Sequence, residues 1–142
     1  VVSRNDIISQ ARKYIGAPYL HQGRNKNGID CVGLLIRVAH DLYISDYDIR
    51  DYSDVPSGRF MRLELQRILI KKELVEAMIA DVLHICYEYE PQHLAFVSSV
   101  SPMRIIHSDS MARSKEYVNG RVVESYVSDL KIRGIYSIPG VI

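Results

Sequence analysis

From Ser3 to Ile15 the apolar residues Ile7, Ile8, Ala11, Tyr14 and Ile15 recur at intervals of three and four, the spacing that lines one face of an α-helix. Ser3 or Asn5 is available as a cap and Gly16 follows the run, so a first helix is predicted over 3–15. Gly16-Ala17-Pro18, Gly23 and Gly28 then interrupt any period and predict a loop that ends at Asp30. After Cys31 the residues Leu34, Leu35, Val38 and Leu42 fall at i+3, i+4, i+7 and i+11, the stripe of a helix packed on a core. Asp30 is its natural N-cap. Residues 43–58 are polar and turn-rich, with Asp46, Asp48, Asp51, Asp54, Pro56 and Gly58, and predict a long surface connection. Helical spacing returns from Arg59 to about Leu74 through Phe60, Leu63, Ile68 and Leu69.

After Ala80 the pattern changes to short β-prone runs, Val82–Tyr87, His93–Ser99, Arg104–Ser108, Val122–Val127 and Ile132–Ser137, each read as a strand. Asn119-Gly120 between Val118 and Arg121 is a tight-turn signal, since the pair supplies two positive-φ positions. Helices first and strands later predict an α+β domain whose antiparallel sheet is covered on one side. A chain of 142 residues needs only one core, so 1–142 is read as a single domain.

Composition narrows the function classes. The chain is 47% hydrophobic and 25% charged, as folded globular domains are. Eighteen basic against 17 acidic residues leave a net charge of +1 without a Lys/Arg run, which excludes a nucleic-acid footprint. Apolar runs such as Leu34-Leu35-Ile36 are far shorter than the ~20 residues of a membrane-spanning helix. Val1-Val2-Ser3-Arg4 shows no signal-peptide pattern, and the missing initial Met leaves export open. Two cysteines, Cys31 and Cys86, are too few for a disulfide scaffold.

Cys31 falls in the first turn of a predicted helix, where unpaired backbone N–H groups and the helix dipole favour a thiolate. Cys31 is equally the first residue of an apolar stripe, and free cysteines are among the most buried residues. The order along the chain adds to the first reading: Cys31, then His93 opening one predicted strand, then His107 at the end of the next. A cysteine, a histidine base and a polar group that orients the base are the parts of a thiol-peptidase triad. If the two runs pair as a hairpin around Pro102, the imidazoles approach one another across the sheet. On this basis Cys31 is expected to be the more reactive thiol.

The segment Ala11–Leu35, ARKYIGAPYLHQGRNKNGIDCVGLL, resembles the signature of NlpC-type, papain-like cell-wall cysteine peptidases: a helix, Gly-x-Pro-Tyr, a glycine-bearing loop, then Asp-Cys-x-Gly-Leu. Ala80-Asp81-Val82-Leu83, Gln92-His93-Leu94-Ala95 and Ile105-Ile106-His107-Ser108 resemble its later motifs in the same order. The resemblance implies a papain-like NlpC fold, N-terminal helices on an antiparallel sheet of about five or six strands, with an insertion at about 43–80. It implies Cys31 as nucleophile, His93 as general base and His107 as the third polar residue. Tyr19 and the Cys31 backbone N–H become candidate oxyanion donors. The implied substrate is a peptidoglycan stem peptide, cut between D-glutamate and diaminopimelate or lysine, with no cofactor and no metal.

Val32 and Ala80 stand where the family often has Ser and Gly, and His21-Gln22-Gly23-Arg24 replaces its paired glycines. With the 43–80 insertion, these departures look like the phage-tail and prophage branch, which implies tail-tip or hub proteins as partners. A virion tail or the bacterial envelope or periplasm is then the expected location. A catalytically idle tail-tip or assembly protein with the same fold is the alternative, and a lipid acyltransferase of circularly rearranged fold a weaker one. His84 and Cys86 share a strand face and with Cys31 and a histidine sketch a zinc set, but the spacing matches no common zinc motif. A Cys31–Cys86 disulfide would consume the nucleophile. Asp46–Asp54 lacks the glycine and closing glutamate of a calcium loop and reads as a solvated face.

Overall fold

Ser3 caps the first helix by accepting from the Asp6 N–H, while the Asp6 carboxylate accepts from the Ser3 N–H, and α1 runs Arg4–Arg12. The computed structural model describes residues 1–112 and 120–142. Asn119, and with it the tight turn expected at Asn119-Gly120, lies outside the described residues. A two-strand ribbon, β1 (Arg24–Asn25) and β2 (Gly28–Ile29), follows α1 and leads into α2 (Cys31–Asp41). Then come α3 (Gly58–Ile68), β3 (Ile70–Lys72), β4 (Val82–Ile85), β5 (His93–Ser99), β6 (Arg104–Asp109), β7 (Arg121–Tyr126) and β8 (Ile132–Ser137). The last six strands form an antiparallel sheet in the order β3-β8-β4-β5-β6-β7. Among the described residues three helices pack on this sheet, which makes the domain α+β as expected.

The helices cover one face with Ile7, Ile8, Ala11, Leu34, Val38, Met61 and Leu65, set against Val82, Leu94, Phe96, Ile106, Val122 and Tyr136. The opposite face is not left to solvent, contrary to the expectation of a sheet covered on one side. Leu83, Ile85, Ala95, Val97, Ile105 and Ile135 form a second core there, flanked by Tyr87, Met103, Val127 and Ile132. Alternation along a strand sends successive side chains to opposite faces. His93 and His107 therefore share the face of Ala95, Val97 and Ile105, and this parity decides where the imidazoles meet.

The third helix is shorter than its periodicity suggests. Leu69 turns extended at φ −121° and ψ 169°, and Ile70, Lys71 and Lys72 pair with Ser137, Tyr136 and Ile135. These three residues form an edge strand, where lysines are tolerated and discourage further pairing. β4 ends at Ile85, so Cys86 lies just beyond it and half-buried. Both cysteines are free thiols. No helix among the described residues is long and apolar enough to cross a membrane.

Asp81, fully buried, locks the entry to β4. Its carboxylate accepts from Arg4 Nη1 at 2.8 Å, Lys72 Nζ at 2.9 Å and the Met78 N–H at 2.7 Å. One buried carboxylate thus joins α1, β3 and the turn ahead of β4. The turn needs a left-handed residue immediately before Asp81, and Ala80 fills it at φ 68°. A side chain in that region costs roughly 1–2 kcal/mol, which glycine avoids, partly offset by the greater freedom glycine has when unfolded. Ala80→Gly should therefore stabilise the fold by about 0.5–1 kcal/mol, raising the melting temperature by roughly 2–4 °C; an unchanged or lower melting temperature would show that the buried Ala80 methyl matters more than its backbone strain.

Candidate active site

The site begins with a capped helix. Asp30 accepts from the Gly33 N–H at 2.7 Å through Oδ1, as an N-cap should, and from the Gln22 N–H at 2.7 Å through Oδ2. Tyr52 Oη donates to Oδ2 at 2.6 Å and Arg24 Nη1 approaches Oδ1 at 3.3 Å. This brings the loop before the helix and the 43–57 connection onto one carboxylate. Close packing depends on Gly33, because a Cβ there would sit 2.1 Å from the Gly23 carbonyl oxygen. Cys31 is consequently held as the first residue of α2, against the start of β5.

The Cys31 sulfur is buried and lies near the Leu94 backbone N–H. A carboxylate absent from the sequence reading stands next to it. Glu90, on the loop between β4 and β5, lies with Oε1 3.7 Å from Cys31 Sγ and Oε2 2.8 Å from His93 Nδ1. The ligating atoms of Cys31, Glu90 and His93 all fall within 4.8 Å of one another. Behind His93, Nε2 meets His107 Nδ1 at 2.6 Å, and His107 Nε2 meets Ser125 Oγ at 2.8 Å. The two imidazoles cross edge to face at 4.8 Å, and the Tyr87 ring packs 5.3 Å from His93. With its proton on Nε2, His93 donates to His107, His107 donates to Ser125, and His93 Nδ1 is left facing the Glu90 carboxylate that stands beside the thiol.

The charges around the thiol act against ionisation. Burial first, then the Glu90 and Asp30 carboxylates, push the Cys31 thiol well above its ordinary range, against a smaller pull from the Leu94 N–H. The helix terminus and imidazole expected to favour a thiolate are thus opposed by burial and by a carboxylate, Glu90, that the sequence did not place here. Burial, helped by the neighbouring His93, pushes His107 down to about 3, so that ring is neutral at physiological pH.

Tyr19 is fixed by backbone pairing on both sides: its N–H bonds to the Gly120 carbonyl at 2.8 Å and it bridges Ile29. With Cys31, His21, Asp30, Tyr52, Asp54 and Glu90 it lines a small cleft over the thiol. Burial and the Glu90 and Cys31 charges push its phenol upward, so it is a neutral donor. His21 borders this cleft with Nδ1 3.1 Å from Asp54, whereas His40 is turned to the Tyr47 carbonyl at 2.8 Å. His84 bonds Gln92 at 2.6 Å and takes no part in the Cys31 group. Asp48, in the acidic stretch, pairs with Arg24 and Arg50. Beside the cleft, sharing Val32, Tyr52, Pro56 and Met61 with it, lies an apolar cavity of about 370 Å³ between α2, α3 and the 43–57 connection.

The structure therefore brings Cys31, His93, His107 and Tyr19 into one site and adds Glu90 and Ser125. Tyr87-Glu88-Tyr89-Glu90-Pro91-Gln92 is visibly a polar loop leading into His93. Which of its two glutamates turns inward depends on how α2 meets β5.

A helix-capped cysteine and paired histidines on a six-stranded antiparallel sheet define a papain-like α+β architecture. Solved structures similar to it include NlpC/p60 domains. The NlpC/p60 domain of the peptidoglycan hydrolase SagA superposes with a TM-score of 0.64 over 96% of this chain and 100% of its own, at 22% identity. A protein described as similar to a lipoprotein of the NLP/P60 family, from Staphylococcus aureus, gives 0.65 at 18% identity over 95% of this chain and 41% of its own. A wild-type endolysin gives 0.64 at 15% identity over 98% of this chain and 65% of its own. No family model matches the sequence, and no curated protein does. The likeness establishes the fold.

Two expectations follow from the charges. Glu90→Gln keeps the shape and removes the carboxylate nearest the sulfur, so Cys31 should alkylate several-fold faster at neutral pH while Cys86 stays unchanged; equal Cys31 labelling by peptide mapping would show that Glu90 does not restrain the thiol. His107 binds a proton in the unfolded chain near pH 6.5 but in the folded one only near pH 3. Its stabilisation is present above pH 6.5 and should be lost at roughly 1.4 kcal/mol per unit as pH falls through that window. In melts from pH 7 to pH 4, His107→Asn should flatten that slope, and an unaltered slope would assign acid sensitivity to other groups.

Proposed function

We propose that this protein is a cysteine endopeptidase that hydrolyses stem-peptide amide bonds of peptidoglycan. The observation that carries the reading is the line Ser125–His107–His93 ending beside Glu90 and Cys31, on a fold similar to that of the NlpC/p60 domain of the peptidoglycan hydrolase SagA. In this mechanism Cys31 Sγ attacks the scissile carbonyl carbon while His93 Nδ1 takes the thiol proton. The oxyanion is met by the Cys31 backbone N–H and the neutral Tyr19 hydroxyl. His93 returns the proton to the leaving amine, and water, deprotonated by His93, then cleaves the thioester. His107 acts as a positioning residue that holds the His93 ring and its tautomer. Direct transfer from thiol to imidazole requires the Glu90 carboxylate to leave the space between them, and its loop position permits that when substrate enters.

The buried thiol and the interposed Glu90 favour a second reading, a catalytically idle protein that keeps the fold for assembly. The phage-tail setting, with tail-tip or hub proteins as partners, rests on Val32, Ala80 and the 43–80 segment. There the 43–57 connection contributes Tyr52, Ser53, Asp54 and Pro56 to the cleft wall.

Incubation with purified sacculi, with new amino termini identified by mass spectrometry, tests the proposal. The parent protein should release stem-peptide fragments. Cys31→Ala should release none while remaining folded, its loss limited to about 1–2 kcal/mol because Asp30 still caps α2. A parent without hydrolytic activity on any sacculus, alongside a Cys31→Ala variant identical to it in every assay, would move the protein to the assembly class.

A further inference from the structure

We propose that Cys31, Glu90 and His93 form a binding site for a thiophilic divalent cation, Zn²⁺ above all, and that the bound ion silences the thiol. The three side chains come from the first residue of α2, the β4–β5 loop and the start of β5. They supply one sulfur, one carboxylate and one imidazole, a donor set that suits Zn²⁺ and excludes Mg²⁺ and Ca²⁺, which take oxygen. A tetrahedral zinc, at roughly 2.0–2.3 Å from each ligand, needs its donors some 3.3–3.8 Å apart on the same basis. The Sγ–Oε1 separation is 3.7 Å and all three donors lie within 4.8 Å of one another, whereas Oε2 and Nδ1 are 2.8 Å apart, so the carboxylate must draw back from the ring by about 0.5–1 Å to complete the site.

Two further observations point to a cation. Glu90 Oε2 and His93 Nδ1 are buried and 2.8 Å apart, yet neither makes an aligned hydrogen bond. His93 is fully buried, while Cys31 and Glu90 line the small cleft in front of it. An ion between Glu90 Oε2 and His93 Nδ1 would satisfy both. Behind the ring, the His93 Nε2 to His107 to Ser125 chain, at 2.6 and 2.8 Å, presents the Nδ1 lone pair forward. That is how second partners orient histidine ligands of metals. Three protein ligands and a fourth position open to the Tyr19–His21 cleft describe an exchangeable site. Binding replaces the sulfur-bound proton, which passes to solvent, with the metal. A sulfur so held cannot attack an amide carbonyl. His84 and Cys86, the residues that suggested zinc in the sequence, are not part of this set.

The binding half of the proposal is independent of the hydrolase reading; the silencing half rests on it. Reduced protein titrated with Co²⁺ should bind one equivalent, with a thiolate-to-cobalt charge-transfer band and intense visible bands of four-coordination, all displaced by Zn²⁺. Cys31→Ser should abolish the charge-transfer band. Glu90→Gln, an isosteric change expected to leave the fold intact, should weaken binding at least about tenfold, the scale of removing one oriented ligand contact. Cys86→Ser and His84→Gln should leave the titration unchanged. Stoichiometric Zn²⁺ should protect Cys31 from iodoacetamide and leave Cys86 labelled at its former rate. Co²⁺ binding without the thiolate band, a band lost in Cys86→Ser instead, or no protection of Cys31 would overturn the site. On sacculi, Zn²⁺ should stop fragment release and a chelator restore it; undiminished release with Cys31 metal-bound would overturn the silencing. A protein that binds Co²⁺ through Cys31 but cleaves no sacculus leaves the site standing and removes the hydrolase reading.

Discussion

The arrangement of the site depends on one buried carboxylate. Asp30 is 2% exposed, and a charge so placed is tolerated only when donors surround it. Its two oxygens meet the Gly33 N–H of the helix, the Gln22 N–H of the preceding loop, the Tyr52 hydroxyl of the long connection and the Arg24 guanidinium. Arg24 is in turn held by Asp48 and the Ile49 carbonyl. The first turn of α2 is thus tied to two separate segments of chain. Removing one partner from such a group typically costs roughly 3–5 kcal/mol, a large part of the stability of an ordinary domain. The position of the Cys31 sulfur is a consequence of this network.

The thiol stands between opposing fields. The N-terminus of α2 favours its anion by about 0.3–1 kcal/mol, and up to about 2 in partly buried geometry. A carboxylate near 4 Å opposes it by roughly 4 kcal/mol at the effective dielectric of such sites. Glu90 lies at that range, and burial adds to its effect, so the neutral thiol is the stable form while Glu90 stays in place. The chemistry of the site is therefore governed by a loop residue outside the Cys–His–His line, and anything that draws Glu90 away changes the ionisation of Cys31. A metal ion held by Glu90 and Cys31 together would instead leave the carboxylate in place and capture the thiol.

The structural neighbours, at 22% identity or less, share the fold over nearly the whole chain. In this chain the architecture is held by its burial pattern, two locking carboxylates and a few close backbone approaches. Asp81 performs for β4 what Asp30 does for α2, joining Arg4, Lys72 and the Met78 N–H. Ala80 shows the tolerance of the scheme, since its φ of 68° suits glycine and the fold accepts the strain. The second core, beneath Tyr87, provides the dry floor on which the two imidazoles cross.

Local pattern was sufficient for what depends on neighbours along the chain: the stripe of α2, Asp30 as its cap, the strands at 93–99 and 132–137, and the order of Cys31, His93 and His107. Periodicity and capping act within a few residues, so they are written in the sequence. It could not end α3 at Ile68, because Ile70–Lys72 becomes a strand only by pairing with β8, some sixty-five residues away. It could not show the second core either, since both faces of a sheet are defined only once the strands are assembled. Glu90 was hidden for the same reason. Two glutamates flank Tyr89, and only the meeting of α2 with β5 turns one of them between thiol and imidazole. The candidate site residues were legible as residue types in order; their mutual charge was decided by tertiary packing, because electrostatic energy follows distance in space and burial rather than separation along the chain.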